Sequence, residues 1–151
     1  MNEPDRQPGR RATSRGASFR HALTGCAYVL RTQRNAWIHA VATLVVVAAG
    51  LWLPLAPAEW AILLLTIAAV WVAEFLNTAL EAVVDLASPT VHPLAKVAKD
   101  VAAAAVLITA IAALLVGLLI LGPALRSRLT KDSPRPRGSA GQSSPRAANK
   151  V

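Results

Sequence analysis

The sequence has little of what a soluble core is built from. It has one cysteine, Cys26, so no internal disulfide can form and no metal site of cysteine spacing exists. Aromatic residues make up 5% of the 151, although hydrophobic residues make up 54%. No Lys or Arg occurs between Arg34 and Lys96, and Val101 to Leu121 carries no charge at all. No GxxxxGK[ST] loop and no HRD-type set occurs, which excludes the common soluble phosphate-binding designs. Apolar runs approaching 20 residues, with so few aromatics, instead predict an all-α integral membrane protein.

Charge is present at the ends. Residues 1–35 carry seven Arg and two acids, and residues 124–151 carry seven Lys or Arg and one acid. The middle carries two Lys and five acids, so it is net negative although the whole chain is +8. The basic ends suit anionic lipid headgroups. Nucleic acid is not an expected partner, because no basic stretch is interleaved with aromatics.

Along the chain, residues 1–17 are rich in Arg, Pro, Gly and Ser and read as disordered. Residues 18–34 pattern as a short amphipathic surface helix, with Phe19, Ala22, Leu23, Cys26, Ala27 and Leu30 on one face. Three spans follow, at about 36–53, 60–87 and 95–121, the first flanked by the interface residues Trp37 and Trp52. His39, near the start of that span, reads as interfacial. Ala56-Pro57-Ala58 resembles a signal cleavage site, but the long region before it and the overlong apolar run argue against one. The prolines of Ser88 to Pro93 end one helix and restart the next. Ala102 to Ala105 offer small residues for close packing. Gly122-Pro123 is expected to stop the last span, leaving 123–151 as a disordered basic tail. The N-terminal arginines place that end in the cytoplasm. Three spans then put the basic tail outside, against the usual preference.

The middle stretch from Trp71 to Asp100 carries the chemistry. On a helix, Glu81 and Asp85 fall within about 20° of Glu74, and Asn77 lies about 60° away. This gives one polar stripe on a face otherwise lined by Ala, Leu, Val and Phe. If the helix starts at Trp60, Glu74 lies about 21 Å along it, still at acyl depth, while Asp85 lies beyond the boundary. The stripe therefore runs from lipid to water. Carboxylates with an Asn beside them form an oxygen donor set suited to Mg²⁺. The competing reading is a helix–helix contact with each acid paired to a base, for which Lys96 and Lys99 are too few. A carboxylate at acyl depth is a functional site by default. It fits a base for a membrane alcohol, but also a proton or ion path, or a stripe that specifies helix pairing.

Glu74 to Asp85, EFLNTALEAVVD, closely resembles the prokaryotic diacylglycerol kinase family of membrane lipid kinases. His92 to Asp100, HPLAKVAKD, and Arg34-Asn35 with Ile38-His39 are similar to its undecaprenol kinase branch. The resemblance extends more weakly over about residues 18–122. It implies a three-span homotrimer in the bacterial plasma membrane, with sites shared between neighbours at the cytoplasmic face. In that family Mg-ATP phosphorylates a membrane-embedded alcohol. By matching position, Glu74 is implied as the general base that touches the lipid hydroxyl. Glu81 is implied as a ligand of Mg²⁺ and a nucleotide contact, with Asn77 beside it, and Lys99 and Asp100 as nucleotide contacts. His92 and, more weakly, His21 match nucleotide-site positions. The family has a metal-binding Glu just before the first span, and Gln33 stands there. Undecaprenol is the implied acceptor, with diacylglycerol as the alternative. The trimer also has a physical motive: a half-lined stripe facing lipid needs neighbours to cover it.

Overall fold

The computed structural model describes residues 15–131, which form four helices: α1 (Arg15–Thr32), α2 (Arg34–Trp52), α3 (Pro57–Ala87) and α4 (Pro93–Lys131). No strand occurs among the described residues. The all-α architecture is as the sequence predicts, and α2, α3 and α4 are each long and apolar enough to cross a membrane. At 1.5 Å per residue, α3 is about 46 Å long and α4 about 58 Å, against a hydrocarbon core of about 30 Å.

Each helix end has a local cause. α1 stops at Thr32, and Gln33 is the single extended residue between α1 and α2, with φ −100° and ψ 117°. The Gln33 N–H still bonds to the Val29 carbonyl at 2.9 Å. One extended residue is enough to turn the chain from α1 into the first span. α3 opens with Pro57 in its first turn, and the Glu59 carboxylate accepts from the Ala56 N–H at 2.7 Å. α4 opens with Pro93, and His92 caps it: the imidazole Nδ1 accepts from the Leu94 N–H at 3.2 Å. Where α2 ends and α3 begins, Gly50 is buried, and a Cβ there would stand 2.8 Å from the Trp60 ring. Only glycine lets these two helices meet so closely.

The sequence reading needs correction at both ends. α1 begins at Arg15, three residues earlier than expected, so residues 15–17 are helical. α4 does not stop at Gly122-Pro123 but runs through Pro123 to Lys131. Proline removes one helical hydrogen bond and costs about 3 kcal/mol within a helix, yet contacts beyond it hold the last two turns. The Arg128 guanidinium stacks over the Trp52 ring, 4.4 Å from its centroid, and donates to the Trp52 carbonyl. The disorder expected of 1–14 and 132–151 falls outside the described residues.

α3 and α4 form the most extensive packing, an antiparallel hairpin, with α2 laid against both. The core is thin: Leu63, Val70, Ala102 and Val106 are among its few buried apolar side chains. Of Ala102 to Ala105, only Ala102 is buried, because four successive residues point around the helix. Most large apolar side chains of the spans face outward, as in a lipid environment.

Candidate active site

Three polar side chains are buried among the described residues, all on one stretch of α3: Glu74, Asn77 and Thr78. Glu74 has no exposure at all. Thr78 donates to the Glu74 backbone carbonyl at 2.9 Å, which satisfies its hydroxyl within the helix. Neither carboxylate oxygen of Glu74 has a hydrogen-bond partner. Burying an ionisable group without partners is costly, and such groups mark function. His39 of α2 comes close, with its Nε2 3.7 Å from Glu74 Oε2. That is an ion-pair distance but too long for a hydrogen bond.

Two turns further along α3, Glu81 is held by two amides. Gln33 Nε2 donates to Glu81 Oε2 at 3.1 Å, across 48 residues of sequence, and Asn77 Nδ2 donates to Oε1 at 3.0 Å. Gln33, Asn77 and Glu81 are thus brought together. The bridge that does so is the extended residue between α1 and α2. Asn77 Oδ1 is buried and unpartnered. A carboxylate with unused lone pairs, one orphaned amide oxygen and the carbonyl of Gln33 are hard oxygen donors. They fit Mg²⁺, although no cluster of three or more His, Cys, Asp or Glu side chains exists among the described residues.

At the aqueous end, the acids take lysines. Lys99 Nζ meets Asp85 Oδ1 at 2.5 Å, joining α4 to α3, and Lys96 meets Asp100 at 2.6 Å along α4. The two lysines neutralise two of the four acids, two amides hold Glu81, and His39 lies at ion-pair distance from Glu74. Lys99 and Asp100 lie beside the stripe but engage these partners. His92 spends its Nδ1 on capping α4, and His21 is exposed on α1 with no hydrogen bond to the acidic cluster. Glu74 and Asn77 are covered within one chain, so the need for neighbours to shield them from lipid does not apply to these two.

His39, which the sequence suggests is interfacial, is set by the structure against Trp71 and Glu74. It is packed against the Trp71 ring at 6.4 Å in an edge contact, and Trp71 Nε1 donates to Thr43 Oγ1 at 3.2 Å. Its signal was present: an ionisable residue inside a candidate span is a functional candidate by default.

The spans also enclose two spaces. A cleft of about 590 Å³ opens between α2, α3 and α4 and is lined almost wholly by apolar side chains, with His39 at one end and Leu125 at the other. A smaller space of about 390 Å³ lies between α3 and α4 beside Asn77, Leu80, Ala102 and Ala105.

Residues 20–121 match the prokaryotic diacylglycerol kinase family. A diacylglycerol kinase of Synechocystis is 49% identical over 111 residues, which are 73% of this chain and 63% of that protein. The chain therefore spans less than two thirds of that relative's length. An undecaprenol kinase of Bacillus subtilis is 44% identical over 108 residues, 72% of this chain and 88% of that protein. A diacylglycerol kinase of Escherichia coli K12 is 33% identical over 110 residues, 68% of this chain and 90% of that protein.

Proposed function

The chain belongs to the prokaryotic diacylglycerol kinase family, and from that premise we propose that it transfers the γ-phosphoryl group of ATP to a membrane-embedded alcohol. The observation that carries this reading is Glu74. It is a fully buried carboxylate with both oxygens unpartnered, on the same helix as a cluster of oxygen donors. A carboxylate without hydration is a ready proton acceptor for a lipid hydroxyl that reaches it from the bilayer.

The other residues divide the work by depth. Glu81, with Asn77 Oδ1 and the Gln33 carbonyl, would hold Mg²⁺, which neutralises phosphate charge when bound. Lys99, released from Asp85, would meet the phosphates. Asp100 and the His92 loop would border the nucleotide at the aqueous end, with His21 of α1 above it. Water is kept from Glu74 by the packing of α2 on α3, so the proton it takes comes from the bound alcohol.

We assign the site to the cytoplasmic face of a bacterial plasma membrane, where ATP is available, and the N-terminal arginines support that side. Assembly as a homotrimer belongs to the same proposal. On a single chain Asp85 and Asp100 are exposed and the apolar cleft stands open, so a second copy has both a polar rim and an apolar surface to cover.

Undecaprenol is the proposed acceptor, ahead of diacylglycerol. Its support is the likeness of HPLAK at 92–96, and of Arg34-Asn35 with Ile38-His39, to the undecaprenol kinase branch. The test is transfer of radiolabelled phosphate from ATP in mixed micelles that offer undecaprenol, diacylglycerol and ceramide in parallel. A higher kcat/KM for undecaprenol is expected. An equal or higher value for diacylglycerol overturns the preference, and no labelled lipid in any arm overturns the kinase reading.

A further inference from the structure

A base sealed from water has a second problem after each turnover: it must lose the proton it has gained. Glu74 has no exposure, and no hydrogen bond leads away from its carboxylate. Around it the fold is sparing with ionisable groups. α4 carries no charge from Val101 to Leu125, and α2 carries none after Arg34 except at His39. Along α3 the next acid is Glu81, already held by two amides. Among the described residues, the base that approaches is His39, with Nε2 3.7 Å from Oε2.

We propose that His39 is the proton-relay and positioning partner of Glu74. The assignment rests on the reading of Glu74 as the base of a lipid kinase. Its side chain is 12% exposed where that of Glu74 is 0%, so the imidazole stands between the sealed carboxylate and the open apolar cleft it lines. Its ring is not free to wander. The edge of Trp71 packs on it, and Trp71 is itself tied to Thr43 of α2. Imidazole suits the task because both of its nitrogens can carry a proton, one accepting as the other releases. Chains of carboxylate and histidine are how protons are moved through apolar surroundings.

The alcohol oxygen forms the new bond to the γ-phosphorus as the bond from that phosphorus to the ADP oxygen breaks. The hydroxyl proton passes to Glu74 Oε2. It then passes to His39 Nε2, and the imidazolium gives up its Nδ1 proton to water; proton exchange with water then returns the ring from its Nε2–H to its Nδ1–H tautomer, which resets both groups. The gap of 3.7 Å exceeds a hydrogen bond, and apo geometries of this kind tighten when substrate is bound.

The test uses the full chain in lipid nanodiscs. His39→Gln is expected to lower kcat by about 10- to 100-fold, within the range for lost acid–base help, with KM for Mg-ATP and lipid changed less than about twofold. Added imidazole is expected to restore part of the rate to His39→Ala, which a packing role would not produce. A rate for His39→Gln within twofold of the native protein, or a loss that imidazole does not relieve, overturns the relay. If neither variant folds, the native chain still decides: the ¹⁵N titration of the His39 ring is expected to change on Glu74→Gln, and an identical titration overturns the pairing. Glu74→Gln measured alongside separates the two readings. Near-native activity in that variant removes the base assignment itself, whereas an inactive Glu74→Gln beside a fully active His39→Gln removes the relay alone.

Discussion

The two ends of the acidic stripe are built from the same residue types yet solved differently. At the aqueous end, Asp85 and Asp100 take lysine partners and remain exposed. At the deep end, Glu81 takes two neutral amides, and Glu74 takes nothing within hydrogen-bond distance. Depth explains the difference. A lysine can follow an acid only where its ammonium stays hydrated, whereas a buried carboxylate must be met by groups that bring little desolvation cost of their own. Exposed pairs are exchangeable and add little to stability. Buried unpartnered groups are fixed in place and expensive, which is what a catalytic residue needs.

The sharpest way to break that contrast is at Glu74. Glu74→Gln keeps the shape and removes the proposed base, so turnover is expected to fall by about 10²- to 10⁴-fold. Binding of a nucleotide analogue should stay largely intact. A residual rate above about a tenth of native would contradict the role.

Next come Glu81 and Lys99. Glu81→Ala and Lys99→Ala are each expected to weaken Mg-nucleotide binding by about tenfold or more, since charge-assisted bonds contribute about 1.5–3 kcal/mol. Titration of a nucleotide analogue in nanodiscs checks both. Unchanged affinity in the two variants sinks the proposed nucleotide site.

Gln33→Glu sharpens the comparison by putting a second carboxylate where an amide now donates to Glu81. Affinity for Mg²⁺ is expected to rise, while the metal-free protein loses about 1 kcal/mol of stability to like-charge contact. Melting with and without Mg²⁺ reads both effects. A fall in activity at every Mg²⁺ concentration would show that this site needs a neutral residue.

The smallest effect is expected at Lys96→Ala. Its pair with Asp100 is exposed on both sides, with relative side-chain exposure of 76% and 62%. No measurable change in unfolding by denaturant should follow, and a clear loss would mean that the two ends of the stripe are less different than they look.

Much of this was legible in the sequence because it depends on local spacing. The 3, 4, 4 spacing of Glu74, Asn77, Glu81 and Asp85 put one polar line on α3 without any knowledge of its neighbours. The turn prolines placed the starts of α3 and α4 to within a few residues. What stayed hidden depends on distant partners. Nothing near Gln33 says that its amide will land on a carboxylate 48 residues away. Nothing near His39 names Trp71 and Glu74 as its neighbours. Gly122-Pro123 is a sound local stop signal, and it was overridden because Arg128 finds Trp52 76 residues away. That contact is made only once α2 and α4 lie side by side.

The same contact has a consequence for how the chain enters the bilayer. Arg128 touches the end of α2, so the ends of α2 and α4 lie on one face, across the membrane from α1. In the proposed orientation, Arg126 and Arg128 must be carried outward against an inside-negative potential, at about 2.3 kcal/mol per charge for each 100 mV. Glu59, in the first turn of α3, moves with that potential instead. Insertion of the first hairpin is therefore helped by an energised membrane, and insertion of the last helix is opposed by it. Stacking on Trp52 holds the arginine once it has crossed, so the clasp acts as a latch on a helix that the membrane voltage pushes back.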